Sequence, residues 1–132
     1  MEVGEAITQR LGAGSATNAL VGTHVHWVFR PQAEALPGVV MTGVFEERPQ
    51  HMDAFEDMRT ARIQGSAFAS TYAQARGIAE AMITDLVPAV QVSDVLFWNA
   101  DVEGPRDLGE QTEEGFVHQA VVDFIIRYAK AA

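Results

Sequence analysis

Apolar and polar positions follow two periods along this chain. In residues 2–11, Val3, Ala6, Ile7 and Leu11 recur at three- and four-residue spacing and Gly12-Ala13-Gly14 ends the pattern, which predicts a short amphipathic helix. A polar linker follows. From His24 to Arg30 the period drops to two, with Val25, Trp27 and Phe29 on one face until Pro31 stops the run, so this segment reads as a strand. Pro37-Gly38 marks a turn, and Val39 to Glu46, β-branched and apolar at both parities, predicts a second strand covered on both faces. Glu47 to Met58 is polar, contains Pro49 and shows no period, so it reads as a loop in which Met52, Phe55 and Met58 are spaced as in a helical turn. Thr60 to Ala69 predicts a third strand, with Ile63 and the small residues Ala61, Gly65 and Ala67 on one face.

The clearest element is a helix beginning near Thr71, which forms a capping box with Gln74; Pro88 marks its end. Ala75, Ile78, Ala79, Met82, Ile83 and Leu86 form its apolar stripe, which needs a sheet to lie on. Asp94 to Val102 predicts a fourth strand and Gly104 to Gly115 a second long polar loop. Phe116 to Ala129 is the longest alternating run, with Phe116, His118, Ala120, Val122, Phe124, Ile126 and Tyr128 on one face, and its length places it centrally in the sheet. The expected architecture is a single α+β domain over 1–132: an antiparallel sheet of about five strands covered on one side by one long and one short helix.

Composition narrows the chemistry. A chain of 132 residues can bury one adequate core without disulfides or metal. It has no cysteine, which excludes a thiol nucleophile, a Cys-type zinc site and an iron–sulfur cluster. Its apolar runs are far shorter than the roughly 20 residues of a membrane helix. The acidic start, Met1-Glu2-Val3-Gly4-Glu5, does not read as a secretory signal, so the expected compartment is the cytoplasm. The net charge is −9 and its source is local. Glu46, Glu47, Asp53, Glu56 and Asp57 stand against Arg48 and Arg59, while Asp94, Asp101, Glu103, Asp107, Glu110, Glu113 and Glu114 stand against Arg106. These segments account for the whole excess and speak against stable nucleic-acid binding, which rests on clustered Lys and Arg.

No catalytic constellation is present. His24-x-His26 puts two imidazoles on one face of a strand, a spacing that metal sites use; Asp53, Glu56 or Asp57 could supply a third ligand across the sheet, though nothing in the sequence places them there, and two exposed histidines on a half-buried strand are the commoner meaning. A small ligand-binding or metal-dependent enzyme domain using the His24/His26 face is the alternative reading. His118 on the apolar face of the last strand reads as a hydrogen-bonded, partly buried residue. The serines lack a nucleophile-elbow motif, and Gly12-x-Gly14 lacks the strand that precedes a phosphate loop. Phe97 and Trp98, adjacent on a strand, must face opposite sides, so one ring lies off the core and hints at an interface.

The order of parts resembles the tail completion, or tail terminator, proteins of long-tailed phages, prophages and gene transfer agents. A short helix precedes Val25 to Arg30, and Pro31-Gln32 through Leu36-Pro37 is similar to the family's proline-flanked link. Arg62-Ile63-Gln64 leads through Ser70-Thr71-Tyr72-Ala73-Gln74-Ala75-Arg76 into Ile78-Ala79-Glu80-Ala81, like the family's strand, turn and helix. Arg106-Asp107-Leu108-Gly109-Glu110-Gln111 followed by Val117-His118-Gln119-Ala120-Val121-Val122-Asp123-Phe124 resembles its loop and closing strand. The resemblance implies a non-enzymatic virion protein without catalytic residues, cofactor or metal. It would be assembled in the host cytoplasm into a ring, typically hexameric, at the head-proximal end of the tail tube. Its partners would be further copies, the tail-tube protein and the head connector, with no membrane and no stable nucleic-acid contact. The candidate interface is then the acidic segment, Asp101, Glu103, Arg106, Asp107, Leu108 and Glu110, together with Met52, Phe55 and Met58.

Overall fold

The computed structural model describes residues 2–28, 36–47, 58–112 and 115–130, without the side chains of 45–47, 110, 112 and 130. Met52 and Phe55 lie outside the described residues. The elements are α1 (Val3–Arg10), α2 (Ala16–Val21), β1 (Val25–Trp27), β2 (Gly38–Glu47), β3 (Arg59–Ala69), α3 (Tyr72–Leu86), β4 (Val90–Val92), β5 (Val95–Phe97), β6 (Asp101–Thr112) and β7 (Gly115–Lys130). The sheet is mixed and runs β1-β2-β3-β7-β5-β4, with β6 also paired to β7. The expectation of about five antiparallel strands is corrected on two counts: there are seven described strands, and β1 runs parallel to β2. A third helix, α2, occupies the stretch expected as a polar linker; Ser15 caps it, accepting from Asn18 N at 3.0 Å.

The local rules hold for the longest elements. The Thr71 hydroxyl accepts from Gln74 N at 3.2 Å and starts α3 where the capping pattern predicts. The apolar stripe of α3 (Ala75, Ile78, Ala79, Met82, Leu86) is buried on β3 and β7. Gly65 of β3 lies directly beneath that helix, where a Cβ would meet the Met82 sulfur at 3.0 Å and the Met41 sulfur at 3.3 Å. Strand β7 is central, with β3 along one side. Along its other side β6 pairs with Gly115 to Ile125 and β5 with Tyr128 to Lys130, end to end.

That arrangement corrects two sequence expectations together. The strand expected over 94–102 is broken at Trp98–Ala100, where Ala100 N donates to Val87 O at 2.9 Å and Asn99 Oδ1 accepts from Ala89 N at 2.8 Å, tying the break to the end of α3. The segment expected as a polar loop over 104–115 is mostly strand, because β6 stays in register with β7 out to Thr112. Composition misleads here because β6 pairs only with β7 among the described strands, and an edge strand carries the charge and proline that elsewhere mark a loop.

The two faces of the sheet differ. Ala120, Val122, Phe124, Ile126 and Tyr128 of β7 share one apolar core with α1, α2 and α3. The alternate positions face away from that core, yet Val40, Ser66, Val121 and Asp123 are buried there too.

Candidate functional site

The face of the sheet turned away from the described helices, the helix-free face, carries Asp101, Glu103 and Arg106, and its chemistry starts from a bulge. Between Glu103, opposite Asp123, and Arg106, opposite Val121, β6 advances three residues while β7 advances two. Gly104 supplies the backbone that this requires: its φ is +102°, and a Cβ there would lie 2.9 Å from the Val121 carbonyl oxygen. Pro105 costs no ladder bond at such a place. The extra residue puts Glu103 and Arg106 on the same side of the sheet, where an unbulged strand would separate them.

An ion-pair network follows. Arg106 donates to the Asp123 carboxylate, which is 7% exposed, and Arg62 of β3 reaches the same carboxylate at 4.0 Å while donating to Glu103 Oε2 at 3.1 Å. Next along the face, Arg127 of β7 donates to Asp101 Oδ2 at 2.9 Å. On the helix side, Arg76 of α3 pairs with Asp107 Oδ1 at 3.3 Å and Tyr72 Oη donates to its other oxygen at 3.4 Å. Asp101, Glu103 and Asp107 are therefore each engaged by an arginine of this chain, not held out for a partner as a loop composition suggests. The side chain of Glu110 is not described.

The apolar members of the candidate set behave differently. Leu108 is 53% exposed on the helix-free face of β6, and Met58 is exposed at the start of β3. Phe97 is buried in the core beside Tyr128, ring centroids 6.4 Å apart, whereas Trp98 turns outward and is 41% exposed, as their adjacency requires. Sequence reading missed the exposure of Leu96, Val28 and Val44. Val28 carries a signal only the backbone gives, a φ of +76° that a β-branched residue rarely adopts.

The third ligands considered for the His24/His26 face, Asp53, Glu56 and Asp57, lie outside the described residues. His24 Nδ1 lies 3.2 Å from Pro37 O, and His26 is half-buried in β1. Among the described residues no three His, Cys, Asp or Glu side chains gather as a metal site would require. His118 packs between rings, edge-on to Phe116 at 4.8 Å and to Tyr72 at 6.4 Å. Arg10 donates to the carbonyls of Asp85 at 2.8 Å and Pro88 at 2.7 Å and lies 4.8 Å over the Phe97 ring. Desolvation pushes its pKa below the ordinary guanidinium value, opposed by the nearby Asp85 carboxylate. Asp85 itself accepts from Ala16 N and Thr17 N, holding the start of α2. These groups fasten the end of α3 to α1 and the start of α2.

Comparison with known proteins bears on what that surface serves. The family described as Tail completion protein gp17 matches residues 5–129. Among solved structures, a chain from the virion of a native gene transfer agent particle is similar at 21% identity over 97% of this chain and 93% of that one, with a TM-score of 0.60. That likeness is one of fold. No curated protein matches the sequence.

Proposed function

This chain belongs to the tail completion protein family, a family of structural virion proteins, and from that premise we propose that it closes the head-proximal end of a phage-type tail tube as a ring and joins it to the head connector. Assembly takes place in the host cytoplasm, and the ring, hexameric in this reading, has the tube protein below and the connector above.

The observation that carries the reading beyond the family is the state of the arginines. Arg62, Arg76, Arg106 and Arg127 are all spent on carboxylates of the same chain, and Arg10 on the carbonyls of Asp85 and Pro88. Phosphate binding needs cations that are free to neutralise it, so a chain of net charge −9 in which these five arginines are engaged suits a passage through which DNA slides without sticking.

The test uses tail tubes. Particles made without this chain should carry tubes of uncontrolled length that fail to join heads, and adding the purified protein should stop growth at one end and restore joining. Electron microscopy with a label on the chain should find it only at the head-proximal end. Label along the tube or at the distal tip would sink the proposal.

A further inference from the structure

Three arginines meet on the helix-free face from three adjacent strands: Arg62 of β3, Arg127 of β7 and Arg106 of β6, the last brought to this side by the bulge at Gly104–Pro105. Arg62 and Arg106 converge on the same oxygen of Asp123. Arg127 stands next along the row, on Asp101, one same-face step of about 7 Å along β6 from Glu103. The three side chains are a third to a half exposed, so a polyanion lying along this face would reach all of them if they were free. A row of exposed arginines on one face is what phosphate recognition ordinarily uses. Here Glu103, Asp123 and Asp101 match them one for one.

The three carboxylates are not alike. Asp123 is almost buried and makes a structural pair with Arg106. Glu103 and Asp101 are 59% and 62% exposed, and pairs as open as theirs add little to stability, since the ladder to β7 holds β6 in place. Their effect on a passing polyanion is larger. Affinity for DNA rises with each phosphate that a cation neutralises, and a guanidinium held by a carboxylate of its own chain must first be taken from it. Leu108 at one end of the row and Trp98 at the other bring no charge to it.

We propose that Asp101 and Glu103 serve to occupy Arg127 and Arg62, and that the face they keep neutral is the one that borders the DNA passage. The proposal rests on the ring reading above and adds which face DNA passes and which carboxylates keep it from sticking.

Asp101→Asn with Glu103→Gln releases Arg127 and Arg62 and removes two negative charges, taking the chain from −9 to −7. Glu5→Gln with Glu80→Gln makes the same change of charge at two exposed carboxylates that no arginine holds among the described residues. Fluorescence anisotropy with a short labelled DNA duplex compares both with the unaltered chain, and circular dichroism checks that each folds. The first variant should bind the duplex where the other two proteins do not. Its binding should weaken about tenfold between about 50 and 200 mM salt, as two phosphate contacts require. Equal binding by both variants would assign the effect to net charge alone, and no binding by either would mean that the released arginines do not meet phosphate; each result overturns the proposal. A second measurement uses assembled particles and follows DNA release with a fluorescent dye. Particles carrying Asp101→Asn with Glu103→Gln should keep tubes of normal length joined to heads and release DNA more slowly than those carrying Glu5→Gln with Glu80→Gln. Unchanged release would mean that this face lies away from the passage. Tubes of uncontrolled length in the first variant alone would make the face an assembly contact, which overturns the proposal and leaves the ring reading standing.

Discussion

Arg106 and Asp123 are bonded across adjacent strands although Arg106 stands opposite Val121 in the register, because the bulge at Gly104–Pro105 turns its side chain toward the helix-free face. This pair buries a carboxylate on a side of the sheet that none of the described helices covers. Removing the arginine leaves Asp123 with only the more distant Arg62 at 4.0 Å. Arg106→Ala should therefore cost about 2 kcal/mol, less than a fully enclosed pair because the guanidinium is half exposed. For a chain of this length that lowers the melting temperature by about 7 °C. Asp123→Ala should cost less, since both arginines can turn to water. The double variant should resemble the worse single one, as expected for groups that share an interaction. Urea unfolding measures all three.

The bulge itself is tested by Gly104→Ala. A Cβ at that position collides with backbone, the Val121 carbonyl, and not with a side chain able to move aside. The left-handed φ adds strain of its own. The expected loss is about 2–3 kcal/mol, with hydrogen exchange quickened at both ends of β6. A variant that melts like the parent would mean β6 pairs without the bulge and that Arg106 reaches Asp123 by another route.

How much of this was legible in the sequence depends on which physics each segment obeys. Residues 71–86 and 115–130 could be read because period and capping are local and the core enforces them over many residues. The α1 pattern and the body of β2 and β3 follow for the same reason. Residues 101–112 could not be read, because an edge strand answers to what does not pair with it: charges, a proline and glycines keep it from adding further strands, and those residues also make loops. The parallel pairing of β1 to β2 is set by tertiary geometry and leaves no mark on three residues of strand. The outward turn of Trp98 agrees with strand parity although β5 ends at Phe97, because Trp98 N still donates to Arg127 O at 3.0 Å. Sequence flagged the acidic positions of the candidate surface, but the arginines that neutralise them come from β3, α3 and β7, and only the fold brings those together.

Arg10 gives a pH-dependent expectation by its sign. Burial lowers its pKa from the ordinary guanidinium value, so the fold disfavours the charged form, a penalty present at every pH below the lowered value and relieved only as the guanidinium loses its proton. The guanidinium nonetheless holds the carbonyls of Asp85 and Pro88 at the end of α3. Arg10→Met removes the penalty and the bonds together, and the unmet carbonyls should leave a net loss of about 1 kcal/mol. Between about pH 5 and about pH 9 that loss should be constant, because the guanidinium stays charged throughout. A difference that changes with pH in chemical denaturation would assign the coupling to another group.

The last expectation concerns the acidic residues of β6. Read as a loop, Asp101, Glu103, Asp107 and Glu110 repel one another and wait for a partner, and replacing them with Asn and Gln would leave stability unchanged. The ladder to β7 and the three pairs with Arg127, Arg62 and Arg76 reverse that expectation. Their side chains are a third to two-thirds exposed, so each pair is worth about 0.2–1 kcal/mol. Removing four negative charges from a chain at −9 relieves some self-repulsion and offsets part of the loss. The quadruple variant should fold and melt lower by about 3–6 °C in dilute buffer. In about 1 M salt, where the screening length is about 3 Å, the gap to the parent should narrow by roughly half or more. A gap that is absent at low salt would restore the view of these residues as unengaged contact groups, while one that salt leaves untouched would mean the carboxylates act through hydrogen bonds to the strand and not through charge.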